Sequence, residues 1–428
     1  MVTPALPHEN LAAEVNARIG APAARPGRDA DRIDGVIPVV VVEPLTPEAV
    51  AIVLGWASET GRTVLTRGGG TKLARIPAPV STVDVLLSTR GLNTVEVHRH
   101  GDLTATVQAG ATLRETNAVL AEHRQWLALD PPRGDRATIG GILATNDSGP
   151  RRQGHGTPRD LIIGMTLARA DGVVARSGGI VVKNVAGYDL ARLMTGSFGC
   201  LGVILNATFK LAPLAGASRT VSVTFPDIDR CVAYADDLRV HAATPSALEL
   251  AMPAVSMLVR FESVESVAEQ QAYRAVALAE AKDGTAVVLS AENETVAWQA
   301  HGARVLEGEG TLVKLSVVSA QLLPTLIWLD AEARSRRLEY EVIGRAGLGV
   351  LCLRLNGATS DQAELLNALR GRLPVGSGSA VLQEAHADLK ALVDVWGPIG
   401  DGLRMMQEVK RQFDPTATLN PGRGPGGL

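Results

Sequence analysis

A run of three glycines directly after a strand-like segment is the strongest constraint on how this chain folds. The stretch 63–66 has the composition of a short strand, and Arg67-Gly68-Gly69-Gly70-Thr71 continues from it without a break. A buried-strand pattern at 39–42 precedes it, followed by a helix that begins at Pro47 with Thr46 as its N-cap. A strand, helix, strand unit therefore delivers a glycine loop.

The glycine loop has the character of an anion site. Three consecutive glycines allow successive N–H groups to point into one concavity, and such a nest binds phosphate oxygens. Neither common nucleotide motif fits: Walker A needs Gly-Lys-Ser/Thr where this chain has Gly70-Thr71-Lys72, and the dinucleotide fingerprint has spaced glycines that open a helix. Taken alone, the loop is either a phosphate site or a flexible turn.

Length and composition exclude several classes of protein. The 428 residues correspond to two or three domains at about 100 to 200 residues each. Lys and Arg total 42 against 45 Asp and Glu, a net charge of -3 that argues against nucleic acid as a partner. The 3 cysteines contain no C-x-x-C pair, which favours reduced thiols in the cytosol. We see neither a signal peptide nor a transmembrane run, so a cytoplasmic protein is expected.

A second segment, 137–149, is rich in small residues. Such residues allow a flat ring system to approach the backbone, and Thr145, Asn146 and Ser148 offer orienting hydrogen bonds. The alternative is a tight irregular segment without a ligand. A third segment, 183–204, contains further glycines, and Asp189 is expected to cap a helix that runs through Met194.

The pattern of secondary-structure signals along the chain changes after about residue 215. Strand and helix patterns follow in the order β-α-β-β-α-β at 221–290 and again at 311–382, which predicts two ferredoxin-like halves in one antiparallel-sheet domain. We therefore divide the chain into an N-terminal helix with an exposed lead-in, a glycine-rich domain, a middle domain and a C-terminal return, at residues 1–35, 36–214, 215–395 and 396–428.

The three segments, in this order and spacing, resemble the FAD-binding domain of the PCMH type, the vanillyl-alcohol oxidase superfamily. The motifs Arg67-Gly-Gly-Gly-Thr-Lys-Leu and Lys183-Asn-Val-Ala-Gly-Tyr-Asp-Leu are most similar to the FAD-binding E subunits of bacterial glycolate oxidases. The tail, from Phe413-Asp-Pro to Leu419-Asn-Pro-Gly, resembles the C-terminal return of the superfamily. The resemblance implies an α+β fold: a two-subdomain PCMH-type FAD-binding domain and a cap domain of ferredoxin-like βαββαβ repeats on an antiparallel sheet.

The resemblance also implies where FAD binds. The backbone at 67–71 and 138–141 would hold the pyrophosphate, 144–148 would lie near the isoalloxazine, 202–204 would contact the adenine end, and the tail would return near the ring. Covalent members often have a histidine in the glycine loop, and its absence here implies non-covalent FAD. The implied cofactor-binding residues are Arg67, Gly68, Gly69, Gly70, Thr71, Pro131, Thr138, Gly140, Gly141, Ala144, Thr145, Asn146, Ser148, Gly149, Gly202, Val203, Ile204 and Asn420.

The implied activity is that of an FAD-dependent oxidoreductase subunit in a glycolate oxidase-like complex. Its substrate would be a 2-hydroxy acid, and its electrons would leave through flavoprotein and Fe–S subunits of the same complex. No catalytic residue is assigned, because no residue is identified as the base that takes the hydroxyl proton. No metal site is assigned, because His241, His301 and His386 are solitary in the sequence. The alternatives are a stand-alone FAD-dependent dehydrogenase of another substrate and a non-catalytic subunit that only holds FAD.

Overall fold

The structure is a computed structural model that describes residues 8–73, 82–179, 187–241, 244–373, 376 and 378–428. The motif residues Lys183 to Ala186 lie outside this described part. The described residues fall into two compact units, the first within 1–148, 157–214 and 401–428, and the second within 149–156 and 215–400.

The helices of the described residues are, in chain order, α1 (His8–Ile19), α2 (Pro47–Glu59), α3 (Leu113–Ala121), α4 (Ile139–Thr145), α5 (Arg152–His155), α6 (Pro158–Leu161), α7 (Leu190–Met194), α8 (Ile228–Val240), α9 (Glu265–Glu280), α10 (Ala291–Leu306), α11 (Ser319–Ser335), α12 (Thr359–Arg372), α13 (Ala387–Leu392) and α14 (Gly402–Phe413). Among them, none has both the length and the apolar composition that a membrane crossing requires.

The strands of the described residues are, in chain order, β1 (Ala24–Pro26), β2 (Val40–Val42), β3 (Val64–Arg67), β4 (Val85–Ser88), β5 (Val95–Arg99), β6 (Thr104–Gln108), β7 (Gln125–Trp126), β8 (Ile162–Ala168), β9 (Val174–Gly178), β10 (Val203–Lys210), β11 (Ala212–Pro213), β12 (Ala217–Thr224), β13 (Ala247–Met252), β14 (Ser256–Ser263), β15 (Thr285–Leu289), β16 (Thr311–Ser316), β17 (Glu339–Arg345), β18 (Val350–Asn356) and β19 (Ser379–Glu384).

The first unit contains a small sheet in the order β1-β2-β4-β3, in which β2, β4 and β3 are parallel. The β-branched run of β2 is fully buried, as expected for a central strand with both faces covered. Helix α2 begins as its sequence indicates, since the Thr46 side chain accepts the N–H of Ala49 at 3.2 Å. Because β3 and β4 are parallel, the loops after both strands lie at the same edge of the sheet.

The N-terminal lead-in differs from the expectation. Residues 24–26 form strand β1, which pairs antiparallel with β2, and the side chains of Asp31 and Ile33 are buried. The polar, proline-containing sequence of this stretch lacks periodicity because it occupies a sheet edge, where only one side of the strand is paired. The fold therefore includes residues well before Val36.

A second sheet of the first unit is antiparallel, in the order β5-β6-β10-β8-β9. Helix α3 opens with the capping box expected at Thr112 and Glu115, whose side chain and backbone groups exchange hydrogen bonds at 2.6 to 3.2 Å. The core of this sheet is a cluster of buried apolar side chains that includes Leu120, Leu143 and Phe209. Helix α4 packs on this core, so one end of the sheet carries the segment 137–149.

The second unit is built on one antiparallel sheet in the order β15-β12-β14-β13-β17-β18-β16-β19. Its first four strands and its last four strands each have the ferredoxin-like order, and the two halves join where β13 pairs with β17. The expected βαββαβ repeats are therefore confirmed. Helices α8, α9, α11 and α12 cover one face over a large apolar core.

Helix α10, between the two halves, was not expected from the sequence. Its buried side chains include the polar Glu294 and His301, alongside Val305. They face a polar side of the sheet, where Glu294 accepts a hydrogen bond from Arg260 at 2.8 Å. A helix whose inner face is polar lacks the apolar stripe by which amphipathic helices are recognised.

Candidate functional site

A cleft that is open to solvent lies in the first unit where β3 ends. Three stretches of chain form it: the end of β3 with the glycine loop, helix α4 with Thr138, and the segment that leads into β10. The described residues that line it are Thr66, Arg67, Gly68, Gly69, Gly70, Thr71, Lys72, Leu73, Thr89, Thr138, Gly140, Gly141, Ala144, Thr145, Phe198, Gly199, Gly202, Val203 and Ile204.

The glycine loop needs its glycines because main chain approaches it closely. A Cβ atom on Gly69 would lie 2.1 Å from the carbonyl oxygen of Arg136, and one on Gly68 would lie 2.1 Å from Oγ1 of Thr138. Gly70 has φ +72°, in the left-handed region that glycine adopts without strain. The loop is therefore a packed element of the fold and not a flexible turn.

Thr138 connects the glycine loop with helix α4. Its side-chain oxygen accepts the N–H of Gly141 as N-cap and also the N–H of Gly69, each at 3.4 Å. Gly140 lies against Ala109, where a Cβ would come within 2.9 Å of the neighbouring Cβ. Residues 139–145 thus form a short helix and not the irregular segment that was the alternative, because a threonine cap and close packing stabilise a sequence with poor intrinsic helix propensity.

The third wall of the cleft depends on the C-terminal tail. The buried side chain of Asn420 accepts the N–H of Thr66 at 3.1 Å and donates to Thr66 Oγ1 at 3.1 Å and to the Phe198 carbonyl at 3.0 Å. A Cβ on Gly199 would lie 2.7 Å from Asn420 Nδ2. Asn420 therefore lies behind the wall that it holds together.

The tail itself is fixed by a buried ion pair. Lys410 Nζ contacts Asp414 Oδ2 at 2.6 Å and donates to the carbonyls of Cys200 at 2.9 Å and Leu419 at 2.8 Å. Asp414 in turn accepts the N–H groups of Thr418 and Leu419. These bonds place residues 418–420 beside β3, the strand that leads into the glycine loop.

Burial also shifts the pKa of two neighbouring side chains, Cys200 and Arg423. Desolvation raises the pKa of the Cys200 thiol to about 11, so this cysteine is protonated at neutral pH and packs as an apolar side chain. Desolvation lowers the pKa of Arg423 to about 10, which still leaves the guanidinium charged. Arg423 donates to the Leu73 carbonyl at 3.0 Å and so supports the end of the glycine loop.

A second ion pair fixes the start of the glycine loop. Asp31 accepts hydrogen bonds from Arg25 at 2.6 and 3.1 Å and from Arg67 at 3.3 Å. The hydrogen bond from Arg25, with smaller contributions from Arg28 and Arg67, lowers the pKa of Asp31 to about 2. The lead-in stretch therefore positions the first residue of the loop, a role that its sequence did not indicate.

Replacement of Asp31 by asparagine is expected to lower the free energy of unfolding by roughly 1 to 2 kcal/mol at neutral pH. Because the folded-state pKa of Asp31 is depressed, its contribution is present above its ordinary pKa near 4 and is lost as the pH falls toward 2. Urea unfolding of both proteins at pH 7 and near pH 2 measures this. Asp29→Asn, at an exposed carboxylate, is the control with little effect. A difference that stays constant over this range of pH contradicts the assignment.

The structure brings most of the implied cofactor-binding residues to this one cleft. Five of them do not line it: Pro131 and Ser148 are buried elsewhere, Asn146 caps the end of α4, and Asn420 lies behind the wall. Gly149 belongs to the second unit, where its carbonyl accepts a hydrogen bond from Arg345. Thr89, which lines the cleft, was missed in the sequence, although its place directly after a strand parallel to β3 is a usable signal.

Other candidate groups lie away from the cleft. Tyr188 is 92% exposed in the first unit, so its side chain does not pack in a core. His301 is not solitary, since its Nε2 lies 3.4 Å from Glu249 in the second unit. In the part of the chain that the structure describes, no cluster of His, Cys, Asp and Glu side chains is arranged to hold a metal ion.

The cleft fits a flavin dinucleotide: glycines from three stretches of chain line it, and a side chain at Gly68, Gly69 or Gly199 would collide with the surrounding protein. Residues 38–178 match the family described as "FAD binding domain", and residues 398–423 match "FAD linked oxidases, C-terminal domain". Both matches contain segments that build the cleft.

Known proteins are similar to this chain in sequence or in fold. A D-lactate dehydrogenase of Archaeoglobus fulgidus is 27% identical over 430 residues, which cover 93% of this chain and 96% of the relative. The glycolate oxidase subunit GlcE of Escherichia coli (strain K12) is 43% identical over 118 residues, 27% of this chain and 34% of that subunit. The solved structure of p-cresol methylhydroxylase with substrate bound has a TM-score of 0.77 at 16% identity and covers 97% of this chain and 96% of its own.

The fold, the glycine-lined cleft and these similarities agree with one another. The expected α+β architecture and the expected FAD cofactor are both confirmed. The chain is an FAD-binding flavoprotein and FAD-linked oxidoreductase whose sequence is similar to a D-lactate dehydrogenase and to a glycolate oxidase subunit.

Proposed function

We propose that this protein is the FAD-binding subunit of a complex that oxidises a 2-hydroxy acid such as glycolate and passes the electrons to flavoprotein and Fe–S partners. The observation that carries the proposal is the convergence of the glycine loop, helix α4 and the tail-supported wall on one cleft. The similarity to a glycolate oxidase subunit over 118 residues supports the assignment to a complex.

Within the cleft, we place the parts of the cofactor as the resemblance to PCMH-type FAD-binding domains implies. The backbone at 67–71 and 138–141 lies along the diphosphate. The N–H groups of Gly68 and Gly70 are the proposed donors, because those of Gly69 and of 139–141 already donate within the protein. Charge-assisted hydrogen bonds to phosphate contribute about 1.5 to 3 kcal/mol each. The segment 144–148 lies beside the isoalloxazine, and 202–204 contact the adenine end. Thr66 and the glycine loop are held in register for this by Asn420.

We assign 36–214 together with the return 396–428 to FAD binding, and 215–395 to a cap or substrate domain. When bound, FAD supplies the capacity to accept a hydride, and the protein contributes binding, orientation and the exclusion of water. We expect the protein in the cytoplasm, at the site where its partner subunits assemble with it.

We expect FAD to be bound without a covalent bond. The described residues that line the cleft include no histidine, cysteine or tyrosine, the side chains that would attach to the flavin ring. Acid precipitation of the purified yellow protein is therefore expected to release all flavin into the supernatant. Flavin that stays with the precipitate and migrates with the polypeptide on a denaturing gel would contradict non-covalent binding.

Anaerobic reduction tests the proposed activity. Bleaching of the flavin absorbance by glycolate or D-lactate only in the presence of the co-purified partners supports a subunit of a complex. Bleaching by the isolated chain supports a stand-alone dehydrogenase, an alternative favoured by the similarity to a D-lactate dehydrogenase along nearly the whole chain. Purified protein that takes up no FAD on titration overturns both and leaves a structural subunit.

A further inference from the structure

Strand β15 forms one edge of the eight-stranded sheet in the second unit. It pairs with β12 along its whole length, from Thr285 opposite Thr224 to Leu289 opposite Thr220, without a shift of register. Its other side makes no main-chain hydrogen bond to any residue that the structure describes. An edge strand of this kind presents a row of unpaired N–H and C=O groups, to which a further strand can bind.

The other edges of the sheets with four or more strands are protected. Among the described strands, β1 ends in Pro26, and the C-terminal tail pairs with β3. Strand β5 contains charged residues and a register shift, and β9 contains Arg176. At the far edge of the same sheet, the N–H of Leu382 in β19 donates to the Val395 carbonyl. Prolines, charges, bulges and covering segments are the features that keep a sheet edge from pairing with another chain.

Strand β15 has none of these features. Residues 284–291 contain neither a charged side chain nor a proline, and the strand is rich in β-branched residues. Ala286 and Val288 pack against the core, so Val287 points to the opposite face, where its side chain is 55% exposed. An uncharged, apolar edge is a template for pairing with a strand of another chain.

The edge of β15 is complementary to itself. In an antiparallel pair of two β15 strands with a two-fold axis at Val287, each Val287 lies opposite its own copy and Ala286 lies opposite Val288. Thr285 lies opposite Leu289, so no two charges of the same sign meet along the strand. A second copy of this chain therefore supplies a strand that fits the edge.

The charges beyond the strand support this pairing. Lys282 and Arg230 lie at the end where β15 begins, paired with Asp237 at 3.0 Å and with Asp283 at 3.1 Å. Glu292 follows the other end, is exposed, and forms no ion pair with the described part of the chain. The two-fold axis of such a pair brings this carboxylate to the same side as the two cations of the other copy.

We propose that β15 is a dimerisation edge: two copies of this chain join by antiparallel pairing of their β15 strands about Val287. The pairing continues the eight-stranded sheet of one copy into that of the other. The unpaired N–H and C=O groups of both edges bond to each other, and the two Val287 side chains leave water together. Because two short strands bury little surface, the dimer dissociates on dilution. The inference is independent of the function proposed above.

Two substitutions of opposite charge at Val287 test the pairing. Val287→Lys and Val287→Glu each place like charges opposite each other, so each is expected to raise the dissociation constant of the dimer at least about tenfold. An equimolar mixture of the two variants is expected to restore the dimer, because a lysine then lies opposite a glutamate. Sedimentation velocity of the FAD-loaded proteins over a dilution series measures all of these. Since the Val287 side chain is exposed, both variants are expected to keep the urea midpoint and the FAD content of wild type.

Val318→Lys is the matched control. Val318 is 46% exposed in the same unit and lies between β16 and α11. Strand β16 is six positions from β15 in the order of the sheet, about 29 Å away at about 4.8 Å per strand. The dimer of this variant is expected to dissociate with the same constant as that of wild type.

The outcomes decide the inference. Wild-type protein that stays monomeric throughout the dilution series overturns it, and so does a dimer that Val287→Lys leaves intact. Two monomeric variants whose mixture stays monomeric contradict the two-fold pairing at Val287. Should both variants unfold, amide hydrogen exchange of the wild-type protein decides. We expect exchange within 285–289 to be slower in concentrated than in dilute protein, and a rate that does not change on dilution overturns the inference.

Discussion

Replacement of Gly69 by alanine is expected to weaken the binding of FAD at least about a hundredfold. The added methyl group would lie 2.1 Å from the carbonyl oxygen of Arg136, which is main chain and cannot rotate away. The glycine loop must move, and its N–H groups then lose their alignment with the diphosphate. Loss of one or two charge-assisted hydrogen bonds, at about 1.5 to 3 kcal/mol each, accounts for an effect of this size.

A second variant sharpens this experiment. Gly68→Ala meets Oγ1 of Thr138 at 2.1 Å, the buried oxygen that caps α4 and accepts the N–H of Gly69, so its effect on FAD affinity is expected to be comparable to that of Gly69→Ala. Gly101→Ala is the control, because a Cβ there meets no atom within 4 Å. Titration of the apoprotein with FAD, followed by quenching of flavin fluorescence, gives the dissociation constants. A Gly69→Ala protein with the affinity of wild type would show that the loop does not bind the diphosphate.

Replacement of Lys410 by methionine is expected to cost about 3 to 5 kcal/mol of the free energy of unfolding, because it leaves the buried carboxylate of Asp414 without its cation. The side chain of Asp414 is fully buried, and Lys410 also loses two hydrogen bonds to main-chain carbonyls. Because residues 418–420 support strand β3, the affinity for FAD falls together with stability. Denaturant unfolding and FAD titration of the same preparations measure both effects.

The double variant Lys410→Met with Asp414→Asn is the informative control for this ion pair. It removes the uncompensated charge and is expected to recover part of the lost stability, although the neutral pair cannot restore every bond that fixes the tail. A single variant as stable as wild type would mean that the tail is held by its other contacts. In that case the tail is not the element that supports the glycine loop.

These predictions depend on an arrangement in which distant stretches of chain build one wall. The tail at 418–420 pairs with β3, and Asn420 joins β3 to the Phe198 carbonyl. This explains why both family matches, one near the N-terminus and one at the C-terminus, contribute to a single cleft. A flavin site in this fold therefore requires the C-terminal tail to pack beside β3, a strand near the N-terminus.

Local signals in the sequence predicted much of the secondary structure. The N-cap at Thr46, the capping box at Thr112 and the cap at Asp189 all form as expected, because each motif is satisfied within a few residues. The alternation of strands and helices after 215 predicted the ferredoxin-like halves. Patterns of this kind follow from hydrogen bonds and burial along one segment, which neighbouring sequence alone specifies.

What the sequence determined by itself was the glycine loop, the small-residue segment and the repeated βαββαβ order, since backbone freedom and hydrophobic periodicity are local properties. Only the tertiary structure decided that the lead-in joins a sheet edge, that a helix with a polar inner face crosses the second unit, and that Lys72 meets Asp147 at one end of α4. Each of these depends on a partner tens or hundreds of residues away, and a pairing of charges or strands over such a separation leaves no periodic trace in the chain.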